Sequence, residues 1–288
     1  MPAGPRRPRL GPVAPAITTE DAPDRSIRCV FAFRDRRDRR PVVAATGLTA
    51  RRVPGMVGAR ATRALALEPR SPMAPAPFPL DPARDCPLCP RLVAFRAEWR
   101  AKEPGWFNAP VPSFPGEAPR LLVVGLAPGV RGANRTGRPF TGDYAGDLLY
   151  ETLADYGFSR GTFRADPGDG LVLTGALITN AVRCVPPENK PTPAEIHACR
   201  PFLVATLAAH ASLTDVLALG RVAHETFLRT VGEKLTAHPF AHGAVHRLKS
   251  GLRLHDSYHC SRYNTNTGRL TRQMFRDVFD GIAHAMGR

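Results

Sequence analysis

Six cysteines stand in this chain of 288 residues, and four of them have a spacing that suggests chemistry: Cys86-Pro-Leu-Cys89, then Cys184 and Cys199 with fourteen residues between them. Nothing in the sequence signals secretion, so a disulfide framework is not expected. Thiolates paired at near and far spacings hold a metal ion or an iron–sulfur cluster, and a tetrahedral sulfur set suits zinc as well as iron. The two halves of the set bracket a glycine-rich run, Gly125-Leu126-Ala127-Pro128-Gly129. Of the remaining two cysteines, Cys260 suits packing and Cys29 is given no role.

The glycine-rich run continues through Gly132-Ala-Asn134 to Gly137-Arg-Pro-Phe140-Thr141-Gly142-Asp143. Glycines let a backbone approach a ligand and leave N–H donors free to meet it. No Gly-Lys-Ser/Thr follows, so this is not a nucleotide P-loop, and the Gly-x-Gly-x-x-Gly spacing of dinucleotide folds is missing. Asp143 reads first as a helix cap. A third segment, Ser257-Tyr258-His259-Cys260-Ser261-Arg262-Tyr263-Asn264 and on to Gly268-Arg269, interleaves polar, basic and aromatic residues on an expected loop. That mixture suits phosphate contacts and a side chain wedged among bases.

The elements that must position these residues follow from periodicity. Strands are expected at Leu121–Val124, Leu171–Thr179, Val216–Leu219 and Leu252–Asp256, with helices over residues 89–101, 144–156, 192–210, 223–231 and 269–286. Thr192 with Glu195 forms a capping-box signature. Alternating strands and helices predict an α/β fold, a three-layer α/β/α sandwich around a mainly parallel four-stranded sheet. Ligands bind such sheets at the carboxyl ends of the strands, where Gly125, Asn180 and His259 all fall.

The net charge is +15, which points to a polyanionic partner, nucleic acid being the commonest. Residues 1–72 hold fifteen Arg, no Lys and six acids, so about +9 of the surplus lies there. Residues 1–75, rich in Arg, Pro and Ala, have no sustained period; they read as a disordered tail, with Met73 an alternative start, ahead of one domain over 76–288. No run of eighteen apolar residues and no signal-peptide pattern is present, so no membrane partner and a cytoplasmic, nucleoid-associated monomer are expected.

With those segments in hand, the chain resembles the uracil-DNA glycosylase superfamily, specifically its iron–sulfur-containing type-5 branch, from about Asp85 to the C-terminus. The segments that carry the resemblance are GLAPG with GANRTGRPFTGD, then TNAVRCVPPENKPTP, then SYHCSRYNTNTGRLT. It implies a [4Fe–4S] cluster on Cys86, Cys89, Cys184 and Cys199, zinc being the alternative. It implies that Gly125, Ala127 and Gly129 cradle an extruded base, that Phe140 stacks on it and that Asn180 reads its edge. His259 falls at the position that acts on the leaving group. Superfamily members often carry an amide or carboxylate in the first motif, where Leu126 and Ala127 stand here, so Asp143 is the candidate for holding water. Arg262, Tyr263, Asn264 and Arg269 are the expected DNA contacts. The partner implied is double-stranded DNA containing uracil or other deaminated bases. Two other readings stay open: a related glycosylase preferring hypoxanthine or mismatched bases, and a non-enzymatic zinc DNA-binding protein.

Overall fold

The computed structural model describes residues 78–288; the expectations for the tail, for Met73 and for Cys29 lie outside the described residues. Apolar runs become strands of a single sheet: β1 (Gly116–Gly125), β2 (Ser159–Arg160), β3 (Val172–Asn180), β4 (Asp215–Leu219), β5 (Val245–Arg247) and β6 (Arg253–Ser257). Their spatial order is β2-β3-β1-β4-β6-β5. The inner four, β3, β1, β4 and β6, run parallel and are the four expected strands. The sheet has six strands rather than four, because short antiparallel edges, β2 against β3 and β5 against β6, complete it. Runs of two and three residues are too short to show a period in sequence.

The helices are α1 (Pro90–Lys102), α2 (Ala133–Thr136), α3 (Tyr144–Asp155), α4 (Pro193–Ala209), α5 (Arg221–Thr230), α6 (Arg262–Asn266) and α7 (Arg272–Met286). Alternation along β1 builds the two outer layers. Leu121 and Val123 pack with Leu149 and Leu153 of α3 and Phe275 and Phe279 of α7. Leu122 and Val124 point the other way, to Leu203 of α4 and Phe227 of α5. Each fully buried Leu or Phe contributes on the order of 1.5–3 kcal/mol, so these two faces dominate stability. The α/β/α layering expected from the sequence is therefore present.

Caps fix where the helices start. Asp143 Oδ1 accepts the Gly146 N–H at 3.3 Å to open α3, and Thr192 and Glu195 form the reciprocal capping box of α4. One expectation is corrected here. The segment after His259 is not wholly loop: Ser261 Oγ accepts the Asn264 N–H and starts the short helix α6. A single turn with no apolar face leaves no periodic signal.

Candidate active site and thiol cavity

Parallel pairing places Gly125 at the end of β1 directly beside Asn180 at the end of β3. The chain then continues past both strands with Ala181 N–H donating to Gly125 O and Val182 N–H to Leu126 O. His259 follows two residues beyond β6, at the same edge of the sheet. An open cleft of about 670 Å³ lies there, lined by Leu126, Ala127, Gly129, Phe140, Asp143, Asn180 and His259, with Arg262 at its side. Sequence-predicted groups far apart in the chain thus share one concavity.

Glycines make room for the side chains. A Cβ on Gly125 would collide with Asn180 Oδ1 and would sit 2.5 Å from Phe140 Cζ. A Cβ on Gly132 would collide with the Asp143 carboxylate. Phe140 adopts φ +52, a left-handed conformation costly for a bulky residue, and its neighbours hold it there. Tyr150 OH donates to Pro139 O at 2.7 Å. Arg138 donates to Thr141 Oγ1 and makes a two-pronged, buried pair with Asp169, both contacts 2.8 Å. The Arg138 guanidinium also lies over the rings of Phe114, Tyr150 and Phe163.

The Phe140 ring lies 6.0 Å from the His259 ring, 29° from parallel. Burial pushes the His259 imidazole down to about 4, so it is neutral at pH 7 and carries one N–H. Burial raises Asp143, while the N–H groups of Gly146 and Ala145 pull it back. Oδ1 of Asp143 is spent on the cap; Oδ2 turns toward Gly129 and Gly132. The Asn180 side-chain amide, 3 % exposed as a residue, makes no hydrogen bond among the described residues and borders the cleft. The N–H groups of Ala127 and Gly129 likewise have no acceptor among the described residues.

The expected DNA contacts separate into two groups. Arg262 lies over the Tyr144 ring at the cleft rim, and Tyr263 is 71 % exposed. Asn264 instead donates Nδ2 to His259 O at 2.8 Å, so its amide braces the histidine loop. Arg269 packs over Tyr258 and lines a neighbouring depression with Gly220, Arg221 and Phe240. The sequence reading missed Asn189, which also lines the cleft. Glu188 and Asn189 are consecutive left-handed residues after Pro186-Pro187, and asparagine's tolerance of that conformation was the one available signal.

Cys86, Cys89, Cys184 and Cys199 line one small cavity with Leu92, Arg96 and Phe202. Arg96 Nη1 donates to Cys184 Sγ at 3.4 Å, and Arg183 N–H to Cys199 Sγ at 3.3 Å. Among the described residues, no three of these sulfurs lie within 4.8 Å of one another. Four thiols converging on one cavity, two of them accepting hydrogen bonds at sulfur, form a donor set that suits an iron–sulfur cluster or a single tetrahedral ion. Ala127 joins the two regions: it borders the cleft and packs against the apolar group around Cys184 and Cys199. Cys260 is buried elsewhere, with Sγ donating to Ala145 O.

The sequence profile of the Uracil DNA glycosylase superfamily matches residues 112–283, which run from ahead of β1 into α7 and include every residue named above as lining the cleft, while Cys86 and Cys89 precede the matched span. The chain belongs to this superfamily. It is 49% identical over 199 residues to the "Type-5 uracil-DNA glycosylase" of Thermus thermophilus, covering 67% of this chain and 90% of that one. It is 38% identical over 207 residues to the protein of the same name from Pyrobaculum aerophilum, covering 70% and 90%. A "Type-4 uracil-DNA glycosylase" of Archaeoglobus fulgidus is 32% identical over 140 residues, 48% and 62% of the two chains. In this glycosylase-superfamily chain the glycine-rich turn, Asn180 and the His259 loop meet at the strand tips.

Proposed function

We propose that this chain is a DNA-repair glycosylase that hydrolyses the N-glycosidic bond of uracil in double-stranded DNA and leaves an abasic site. The observation that carries this reading is the cleft itself, where an aromatic face, an unpartnered amide, a carboxylate and a neutral imidazole converge. The names of its relatives support uracil as the base.

The target base must leave the stack, at a cost of a few kcal/mol that is least for a deaminated or mispaired base. The Phe140 face receives it, and the Asn180 amide pairs with its edge. Bond cleavage develops positive charge on the sugar and negative charge on the departing base, as in glycoside hydrolysis. The single N–H of neutral His259 and the free N–H groups of Ala127 and Gly129 stabilise the base anion; one such donor is worth about 3–4 kcal/mol. Asp143 Oδ2 orients the water that adds to the sugar carbon and opposes its charge. Arg262 and the exposed Tyr263 hold the flanking strand and the gap it leaves.

Cys86, Cys89, Cys184 and Cys199 would hold a [4Fe–4S] cluster. It would supply cross-linking of α1 to the β3–α4 segment, since hydrolysis moves no electrons. Zinc in the same four thiols is the alternative, since a tetrahedral sulfur set suits both.

A panel of duplexes carrying uracil, hypoxanthine or only normal bases, scored for abasic sites, tests the reading. Excision of uracil with normal duplex untouched is expected. Hypoxanthine excised in preference to uracil would make the chain a glycosylase of different specificity, and binding without excision would leave only a DNA-binding protein.

A further inference from the structure

Behind the cleft, three elements bring together side chains that the excision chemistry leaves unused. His224 stands on α5, His246 on β5 and Asp256 on β6. His224 Nδ1 lies 2.6 Å from Asp256 Oδ1, and His246 Nε2 lies 3.0 Å from Oδ2. One ligand atom from each residue falls within 4.8 Å of the other two. His224 and Asp256 are buried, while His246 is half-buried and marks the side nearest solvent.

The far nitrogen of His224 decides how this cluster reads. Its Nε2 lies 2.9 Å from the His238 carbonyl oxygen, which can only accept, so Nε2 carries hydrogen. A neutral imidazole has no second N–H. Its Nδ1 would then direct a lone pair at a carboxylate oxygen 2.6 Å away. Either a second proton shared by the pair, or a cation beside them that both atoms bind after moving slightly apart, removes that repulsion. Donation of the remote N–H to a backbone carbonyl is also how proteins orient a metal-bound histidine. Asp256 is itself held in place by the Ala241 N–H at 3.4 Å. Around this core stand His238, which contacts Glu233, and Lys249, which also pairs with Glu233.

We propose that His224, His246 and Asp256 bind a divalent transition-metal ion of the zinc class, separate from the thiol cavity. Two imidazoles and one carboxylate form a three-ligand set that leaves a fourth position for water. The ion ties the β5–β6 hairpin and the 238–246 segment to α5, three residues ahead of His259. Its role is structural, because none of the three ligands borders the cleft.

The test uses the purified holoprotein, freed of loosely held metal by a chelator and then given zinc. Wild type is expected to take up one more zinc per chain than His246→Gln, with equal iron in both, and to melt several degrees higher with zinc present. Equal zinc uptake by the two proteins, or none by wild type, would overturn the proposal and leave the His224–Asp256 contact a hydrogen bond. X-ray absorption at the zinc edge of wild type needs no variant. A first shell of nitrogen and oxygen at about 2.0–2.2 Å is expected. Sulfur at about 2.3 Å would place the ion on the thiols and also overturn it.

Discussion

His259 is held neutral by burial, with its proton affinity pushed down to about 4. A neutral imidazole donates one hydrogen bond to a leaving anion without adding a charge of its own. Acid removes this state, and acid also discharges Asp143, whose affinity burial raises. Both changes act in the same direction, so excision is expected to hold between about pH 6 and 8 and to fall toward pH 4. A pH–rate profile under single turnover checks this; an acid limb centred on the ordinary histidine value of about 6.5 would mean that the imidazole is not buried during reaction. At Gly125, an added methyl would meet both Phe140 and Asn180. Gly125→Ala is expected to cost about a hundredfold in excision rate through misplacement of the base, with little change in melting temperature. Unaltered excision would show that the two side chains yield freely.

Elements explain why such residues meet. The inner strands were legible in sequence because buried parallel strands read as unbroken apolar runs. Ends were less legible: β1 begins at Gly116 rather than Leu121, with its register shifted between Glu117 and Leu121, and Ala118 at φ +44 carries that irregularity. Helix caps at Asp143 and Thr192 were legible because their chemistry is local. Long-range pairs such as Arg138 with Asp169 were not, since nothing in spacing marks them. That pair fastens the loop carrying Phe140, and the Arg138 guanidinium holds the Asp169 carboxyl far below the usual carboxylate range. Asp169→Asn leaves a buried cation without its counter-charge. A loss of about 3–5 kcal/mol is expected by denaturant titration, together with slower excision. A loss under about 1 kcal/mol would mean that the aromatic cage alone holds Arg138.

At the scale of the molecule, four thiols on two distant segments close one cavity, and Ala127 links that cavity to the cleft. The spacing of Cys86 and Cys89 suggested this closure, and no sequence pattern could reveal the Ala127 contact. Cys184→Ala is expected to lose iron and the brown colour of a cluster, to melt lower and to excise more slowly. A colourless variant as stable and active as wild type would remove the cluster from the account. The basic surface has a separate consequence. DNA binding is expected to weaken steeply with salt, and Arg262→Ala to reduce the logarithmic slope by about one. An unchanged slope would take Arg262 off the phosphates. The His224, His246 and Asp256 cluster was invisible in sequence for the same reason as the Arg138 pair: its members come from three separate elements.

The rate of abasic-site formation on a uracil-containing duplex, measured under single turnover for wild type and His259→Ala with both proteins saturated by DNA, tests the central claim most directly. Wild type is expected to excise uracil, and the variant to do so about 10²–10³-fold more slowly while binding the same duplex with similar affinity. Contradiction would be a wild-type protein that binds uracil-containing DNA and releases no base, or a variant that keeps the full rate.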